Sequence, residues 1–324
     1  HVAGRTGADR ADVRLGPTYG ADFGVVDVGE SVVALATDPV FVLRELGLER
    51  AAWFAFHICA SDVALSGLPP AHLAVDLNLP PGTSTETFDR IWDVFDREAR
   101  ALGTSLTTGH TGTYEGCAFP TVGGATALAV GDPEDLVLPT GASPGDRVVV
   151  TKGPAVETTG LLGVLFGDDL PIGEREAAAA SERFEDASPV RDALTMAAAG
   201  DVTAMHDATE RGLANGLHEL AAASRVGLAV DRDAVPVLPG VEAVCEHFGM
   251  DPWTASSEGT VVATVAPDSV DGVLAALDDE GIPAAAVGRV ESGSGVTVDG
   301  EPLAEPTSDP LWPAYQRARE AYRT

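Results

Sequence analysis

The sequence predicts a two-domain α/β protein, and three observations carry that expectation. Apolar strand-like runs alternate with helical stripes along most of the chain. A single stretch, Gly131 to Asp146, concentrates Pro133, Pro139, Gly141, Pro144 and Gly145. At 324 residues the chain can also bury two cores of ordinary size. The turn-rich stretch divides it into residues 1–140 and 141–324.

In chain order, Val25 to Val28 and Val32 to Thr37 have strand-like apolar content, and Leu48 to Ser66 forms a mostly apolar helix. Leu73 to Leu79 is a strand. Thr83 to Glu86, T-S-T-E, is a capping box that opens an amphipathic helix to about Leu102. Strands follow near Ser105 to Thr108 and Ala125 to Val130. Past the boundary, Arg147 to Thr151 is a strand, Thr158 to Phe166 a helix, and the alanine-rich acidic region Glu174 to Gly200 is helical. Val202 to Met205 ends as a short strand, after which Asp207 and Glu210 precede the stripe Leu213, Ala214, Leu217, Leu220, Ala221. The tail alternates again, with strands at Val261 to Val265 and Ala284 to Val290 around a helix at Ser269 to Glu280.

Fifty acidic residues against twenty basic ones give a formal charge of −30, and only one basic residue, Lys152, is a lysine. Solvated carboxylates in such excess fit a high-salt cytoplasm, where screening removes most self-repulsion. The same balance argues against nucleic acid or an anionic membrane as partner, because no basic face is available. Three scattered cysteines, Cys59, Cys117 and Cys245, form neither a disulfide framework nor a zinc pattern. No apolar run has the length of a membrane span and no secretory pattern is visible, so a cytoplasmic location is expected.

Among fifty acids, those at the ends of apolar elements are the better ligand candidates, because burial desolvates them unless a cation meets them. Asp22 precedes F-G-V-V, Asp38 closes V-V-A-L-A-T-D, and Asp62 closes W-F-A-F-H-I-C-A-S-D. Local capping explains each of them as well. In M-H-D-A-T-E-R-G-L-A, Asp207 with Glu210 is equally a helix cap or a carboxylate-hydroxyl-carboxylate site. Converging carboxylates would need a hard divalent cation, and Mg²⁺ with phosphate oxygens satisfies them.

Two glycine motifs supply a complement. G-H-T-G, Gly109 to Gly112, follows a strand, and T-K-G-P, Thr151 to Pro154, joins a strand to a helix. Such loops place backbone N–H groups against an anion, although neither matches a Walker or dinucleotide fingerprint. Lys152 is a candidate point charge for phosphate, with a surviving surface lysine as its plainer explanation. His110, between glycine and threonine, is a better functional candidate than His57, which sits in an apolar run.

In order, G-A-D-F-G-V-V, T-D, A-S-D-V-A-L-S-G, G-H-T-G, G-D-R-V-V-V-T-K-G and M-H-D-A-T-E-R-G-L-A resemble the ATP-binding superfamily of aminoimidazole ribonucleotide (AIR) synthetase, selenophosphate synthetase, thiamine-monophosphate kinase and HypE, over about Val13 to Val290. The likeness is nearest to the HypE-like, AIR synthase-related branch.

The resemblance implies an N-terminal sheet that pairs across a two-fold into a dimeric barrel, and Mg-ATP in a cleft between the domains. It further implies Asp22, Thr37, Asp38 and Asp62 as N-terminal Mg²⁺ ligands, and Asp207, Thr209 and Glu210 as groups from the C-terminal domain. Gly109, Thr111, Gly112, Lys152, Gly153 and Thr209 become nucleotide contacts, with His110 and Lys152 the catalytic candidates. His1 to Tyr19 would be a flap over the nucleotide. The expected partners are a second copy of the chain and either a small-molecule substrate or a maturation partner protein.

The chain departs from the family pattern at Ala21, Ser61, His110, Ala208 and Arg211, and it ends A-Y-R-T without the terminal cysteine of HypE proper. It also lacks the flap cysteine of selenophosphate synthetase and the paired aspartates of thiamine-phosphate kinase. Two functions are therefore expected: an ATP- and Mg²⁺-dependent enzyme that phosphorylates an oxygen, thiamine-phosphate kinase-like or activating a carbonyl or amide, or a nucleotide-binding assembly or regulatory dimer without turnover.

Overall fold

A computed structural model describes residues 5–322. The chain folds as two compact units, the first formed by residues up to 18 with 22–136, the second by 19–21 with 137–324.

The first unit is built on a six-stranded sheet of β1 (Val13–Leu15), β2 (Gly24–Val28), β3 (Ser31–Phe41), β4 (Pro70–Leu79), β5 (Ser105–Thr113) and β6 (Thr121–Gly131), in the order β1-β2-β3-β6-β4-β5. Its two helices are α1 (Leu48–Ala64) and α2 (Thr85–Leu102). α1 is the apolar helix that its composition requires, buried at Phe54, Phe56, Cys59 and Val63, and Phe56 meets Phe95 of α2 edge to face with centroids 5.5 Å apart. The cap of α2 is Ser84, whose hydroxyl accepts the Thr87 N–H at 3.1 Å, and not Thr83, which turns back to donate to the Pro80 carbonyl.

The second unit carries a seven-stranded sheet of β7 (Arg147–Thr151), β8 (Val202–Asp207), β9 (Gly227–Val230), β10 (Val261–Val265), β11 (Ala284–Glu291), β12 (Gly295–Val298) and β13 (Glu301–Pro302). Their order is β13-β12-β9-β11-β7-β10-β8. The helices are α3 (Val156–Phe166), α4 (Glu174–Glu182), α5 (Val190–Ala199), α6 (Gly212–Ser224), α7 (Val241–Phe248), α8 (Val270–Asp279) and α9 (Leu311–Tyr322). Leu213, Leu217 and Leu220 of α6 pack with Val148, Val150, Val262 and Val287 of the sheet, so the stripe read from the sequence is the core face. The region 174–200 is two helices, interrupted by a 3₁₀ turn and Pro189. Strands β9, β12 and β13 and helices α7 and α9 were not anticipated; most are too short for a periodic signal.

Part of the expected flap is anchored. Val13–Leu15 pairs with β2, and the Tyr19 hydroxyl donates to Glu305 at 2.9 Å within the second unit. Gly20, at φ +76°, packs so closely on the Glu219 carbonyl of α6 that a Cβ would overlap it. His1–Gly4 of the flap lie outside the described residues, as do Arg323 and Thr324. No helix among the described residues is long and apolar enough to cross a membrane.

Candidate functional site

In the second unit the site begins at the end of β8. Asp207 is its last residue and is 1% exposed. The Thr209 hydroxyl donates to its Oδ1 at 3.3 Å, and the ring of His206 stands 3.5 Å from the same oxygen. Among the described residues no lysine or arginine pairs with Asp207. Helix α6 starts only at Gly212, after Arg211 at φ +65°, and the Arg211 N–H donates to Asp309 at 2.6 Å. The capping alternative for Asp207 is excluded: no side chain caps α6, a distant aspartate holds the turn before it, and Asp207 is a buried strand-end carboxylate. Glu210 is exposed in the turn and Thr209 half-buried.

Lys152 is not a phosphate hand, which corrects the catalytic and anion-binding expectation. It is 5% exposed, and its Nζ donates to the carbonyls of Asp186 (2.9 Å), Ser188 (2.9 Å) and Gly259 (3.0 Å), with Asp192 at 3.1 Å. Three ammonium hydrogens with four oxygen neighbours leave none for a ligand. Burial still holds the Asp192 carboxyl above its ordinary range, Lys152 offsetting only part of the desolvation. Gly153, at φ +89°, is required by the Pro236 carbonyl, which a Cβ would overlap, rather than by an anion.

Around that ammonium lies a polar layer that sequence reasoning missed. Ser256, Ser257, Glu258 and Thr260 are all buried. The Val156 N–H donates to Ser257 at 2.8 Å, the Thr158 hydroxyl to the Ser256 carbonyl at 2.8 Å, and the Thr260 hydroxyl to the Gly153 carbonyl at 2.6 Å. Glu157, in the first turn of α3, is 8% exposed and accepts the Ser256 hydroxyl at 2.7 Å and the Glu258 N–H at 3.2 Å on one oxygen. Burial pushes its carboxyl up to about 7, against the pull of those two donors, with Asp309 and Glu210 adding repulsion. A signal for this layer was present in S-S-E-G-T, a polar run directly before the apolar Val261–Val265.

The first unit distributes its candidates differently. G-H-T-G is not a loop: Gly109 to Gly112 lie inside β5, parallel to Val75–Asn78 of β4, because Gly109 lets the Val75 carbonyl approach within 2.5 Å of where a Cβ would stand. His110 and Thr111 are exposed on this edge strand, and His110 shares a hydrogen bond of 2.7 Å with the Tyr114 hydroxyl. Asp38 is half-buried within β3, paired in register with Ala125, since the strand continues to Phe41. Thr37 is exposed, with its hydroxyl 2.9 Å from that of Thr126. Asp62 is half-buried in the last turn of α1. Asp22 is exposed, ahead of the buried Phe23, and so is not desolvated as the sequence suggested.

Family models for the AIR synthase related protein match residues 20–141 (N-terminal domain) and 143–301 (C-terminal domain). Carbamoyl dehydratase HypE of Rhizobium leguminosarum is 32% identical over 256 residues, 73% of this chain and 67% of the relative; the same enzyme of Cupriavidus necator is matched over 61% of its length. Among solved structures, Escherichia coli HypE, a hydrogenase maturation protein, superposes with a TM-score of 0.73 at 27% identity, covering 86% of this chain and 87% of its own. A ThiL structure complexed with AMPPCP and TMP shares the fold, with a TM-score of 0.72 at 23% identity over 90% and 91% of the two chains. The motif order, the two α/β units and these likenesses agree: the chain belongs to the AIR synthase-related family and is HypE-like.

Proposed function

We propose that this chain is an ATP- and Mg²⁺-dependent enzyme that phosphorylates an oxygen, either as its product or to activate a carbonyl or amide for dehydration. The observation that carries the reading is Asp207: a carboxylate 1% exposed, at a strand end, with a hydroxyl and a histidine ring for neighbours but no arginine or lysine among the described residues. A buried carboxylate at a strand end is the kind of oxygen ligand that a hard divalent cation takes. Asp207, Thr209 and Glu210 in the second unit offer oxygen donors suited to Mg²⁺, and Asp22, Thr37, Asp38 and Asp62 offer the same kind of donor in the first. Mg-ATP would supply the phosphoryl group and the charge that neutralises its transfer. The chain's part is to orient and to exclude water: Thr209 fixes the Asp207 carboxylate, and Asp309 holds the turn that carries Thr209. Gly109, Thr111, Gly112 and His110 belong to the proposal as contacts from an exposed strand.

A homodimer is part of the same reading. β5 is an edge strand of nine residues, exposed along most of its length, and an edge of that kind is stabilised by pairing. The second substrate is a small molecule or a maturation partner protein. The departures at Ala21, Ser61, His110, Ala208 and Arg211 favour one rival, a nucleotide-binding assembly protein without turnover.

Asp62→Ala and Asp207→Ala should each abolish Mg-ATP binding while leaving the far-ultraviolet spectrum and cooperative unfolding intact. Unchanged affinity in both variants would sink the metal site. ADP formation by the purified wild type separates the enzyme from the rival.

A further inference from the structure

We propose that Glu157 is a positioning residue of this site, which sets the buried Ser256–Thr260 turn, whose Ser257 N–H donates to the Ala208 carbonyl beside Asp207 at 3.0 Å, against the first turn of α3. The assignment rests on reading the chain as an ATP-dependent enzyme. The turn is fastened at both ends: Lys152 holds the Gly259 carbonyl, Gly153 receives Thr260, and Glu157 holds the Ser256 hydroxyl and the Glu258 backbone. Both Glu157 bonds converge on Oε2; Oε1 has no partner among the described residues and is not among the buried orphan atoms, so it reaches solvent.

For stability alone this is a poor choice of side chain. Glu157 meets the charges of Asp309 and Glu210, with no cation paired to it among the described residues, and burial raises its carboxyl to about 7. A glutamine would accept the same two bonds without a charge to desolvate. Acidic residues retained against that gradient belong to working parts of a protein more than to its frame. Two further features place the strain here: Lys152 at φ +57° and Ala155 at φ +58°, non-glycine residues in the left-handed region, flank the same layer.

The test compares Glu157→Ala and Glu157→Gln with wild type in molar KCl, reading ADP release from Mg-ATP, urea unfolding at pH 5.5 and 8, and amide exchange of the Glu258 N–H. Glu157→Ala should lower kcat at least tenfold with KM for Mg-ATP within threefold, and should speed exchange at Glu258. Glu157→Gln should keep kcat within threefold, leave that exchange unchanged, and resist urea better than wild type at pH 8, by a smaller margin at pH 5.5. Wild-type kcat in Glu157→Ala, or an equal loss of kcat in both variants, would overturn the assignment. If wild type releases no ADP, the enzymatic reading fails on its own, and the exchange at Glu258 still decides whether Glu157 positions the turn.

Discussion

The two glycine motifs look alike in sequence and end in opposite environments. G-H-T-G lies on an exposed edge strand of the first unit, its Gly109 required by the Val75 carbonyl. T-K-G-P lies in a buried polar layer of the second unit, its Gly153 required by the Pro236 carbonyl. In neither place does an anion explain the glycine; close approach of a backbone carbonyl does. A short glycine motif therefore reports a tight contact, and only the surrounding burial decides whether that contact serves binding, as an accessible edge, or structure, as a locked core.

The largest effect that sharpens the contrast should come from Lys152→Met. Removing one partner of a buried pair strands Asp192 and three carbonyls, at about 3–5 kcal/mol in urea unfolding. A loss below about 1 kcal/mol would mean that the layer is hydrated and Lys152 available. Next comes pH. The folded carboxyl of Glu157 is raised from 4.5 to about 7, so the folded state binds the extra proton between those values. Its contribution to stability is full below about 4.5 and is lost as pH rises to about 7, by up to roughly 3 kcal/mol. Unfolding of wild type against Glu157→Gln at several pH values reads the difference directly.

On the other side of the comparison, Gly109→Val should destabilise by about 1–3 kcal/mol, through the clash with the Val75 carbonyl, without touching the second unit. His110→Ala should change stability by no more than about 0.5 kcal/mol, because the ring is exposed; a larger loss would place His110 in a packed interface.

Much of the fold was legible. The apolar helix α1, the strand Arg147–Thr151 and the helix α6 were legible from their apolar content, because most of each element is buried. The site was legible only in part. Asp207 and Thr209 do come together, but the choice between cap and site needed Asp309, almost a hundred residues away, which local spacing cannot reveal. Rarity marks Lys152 in the sequence but does not reveal its role, since carbonyls from residues 186, 188 and 259 gather around it only in the folded chain. Glu157 escaped notice for the same reason: one acid among fifty carries no mark until its burial is known.

The proposed Mg²⁺-dependent nucleotide site is tested most directly by calorimetric titration of ATP into the protein in molar KCl, with Mg²⁺ and again with chelator. Saturable binding that disappears with the chelator is the predicted result. No binding in either condition, or binding indifferent to the metal, would contradict the assignment of Asp207 and the aspartates of the first unit as its ligands.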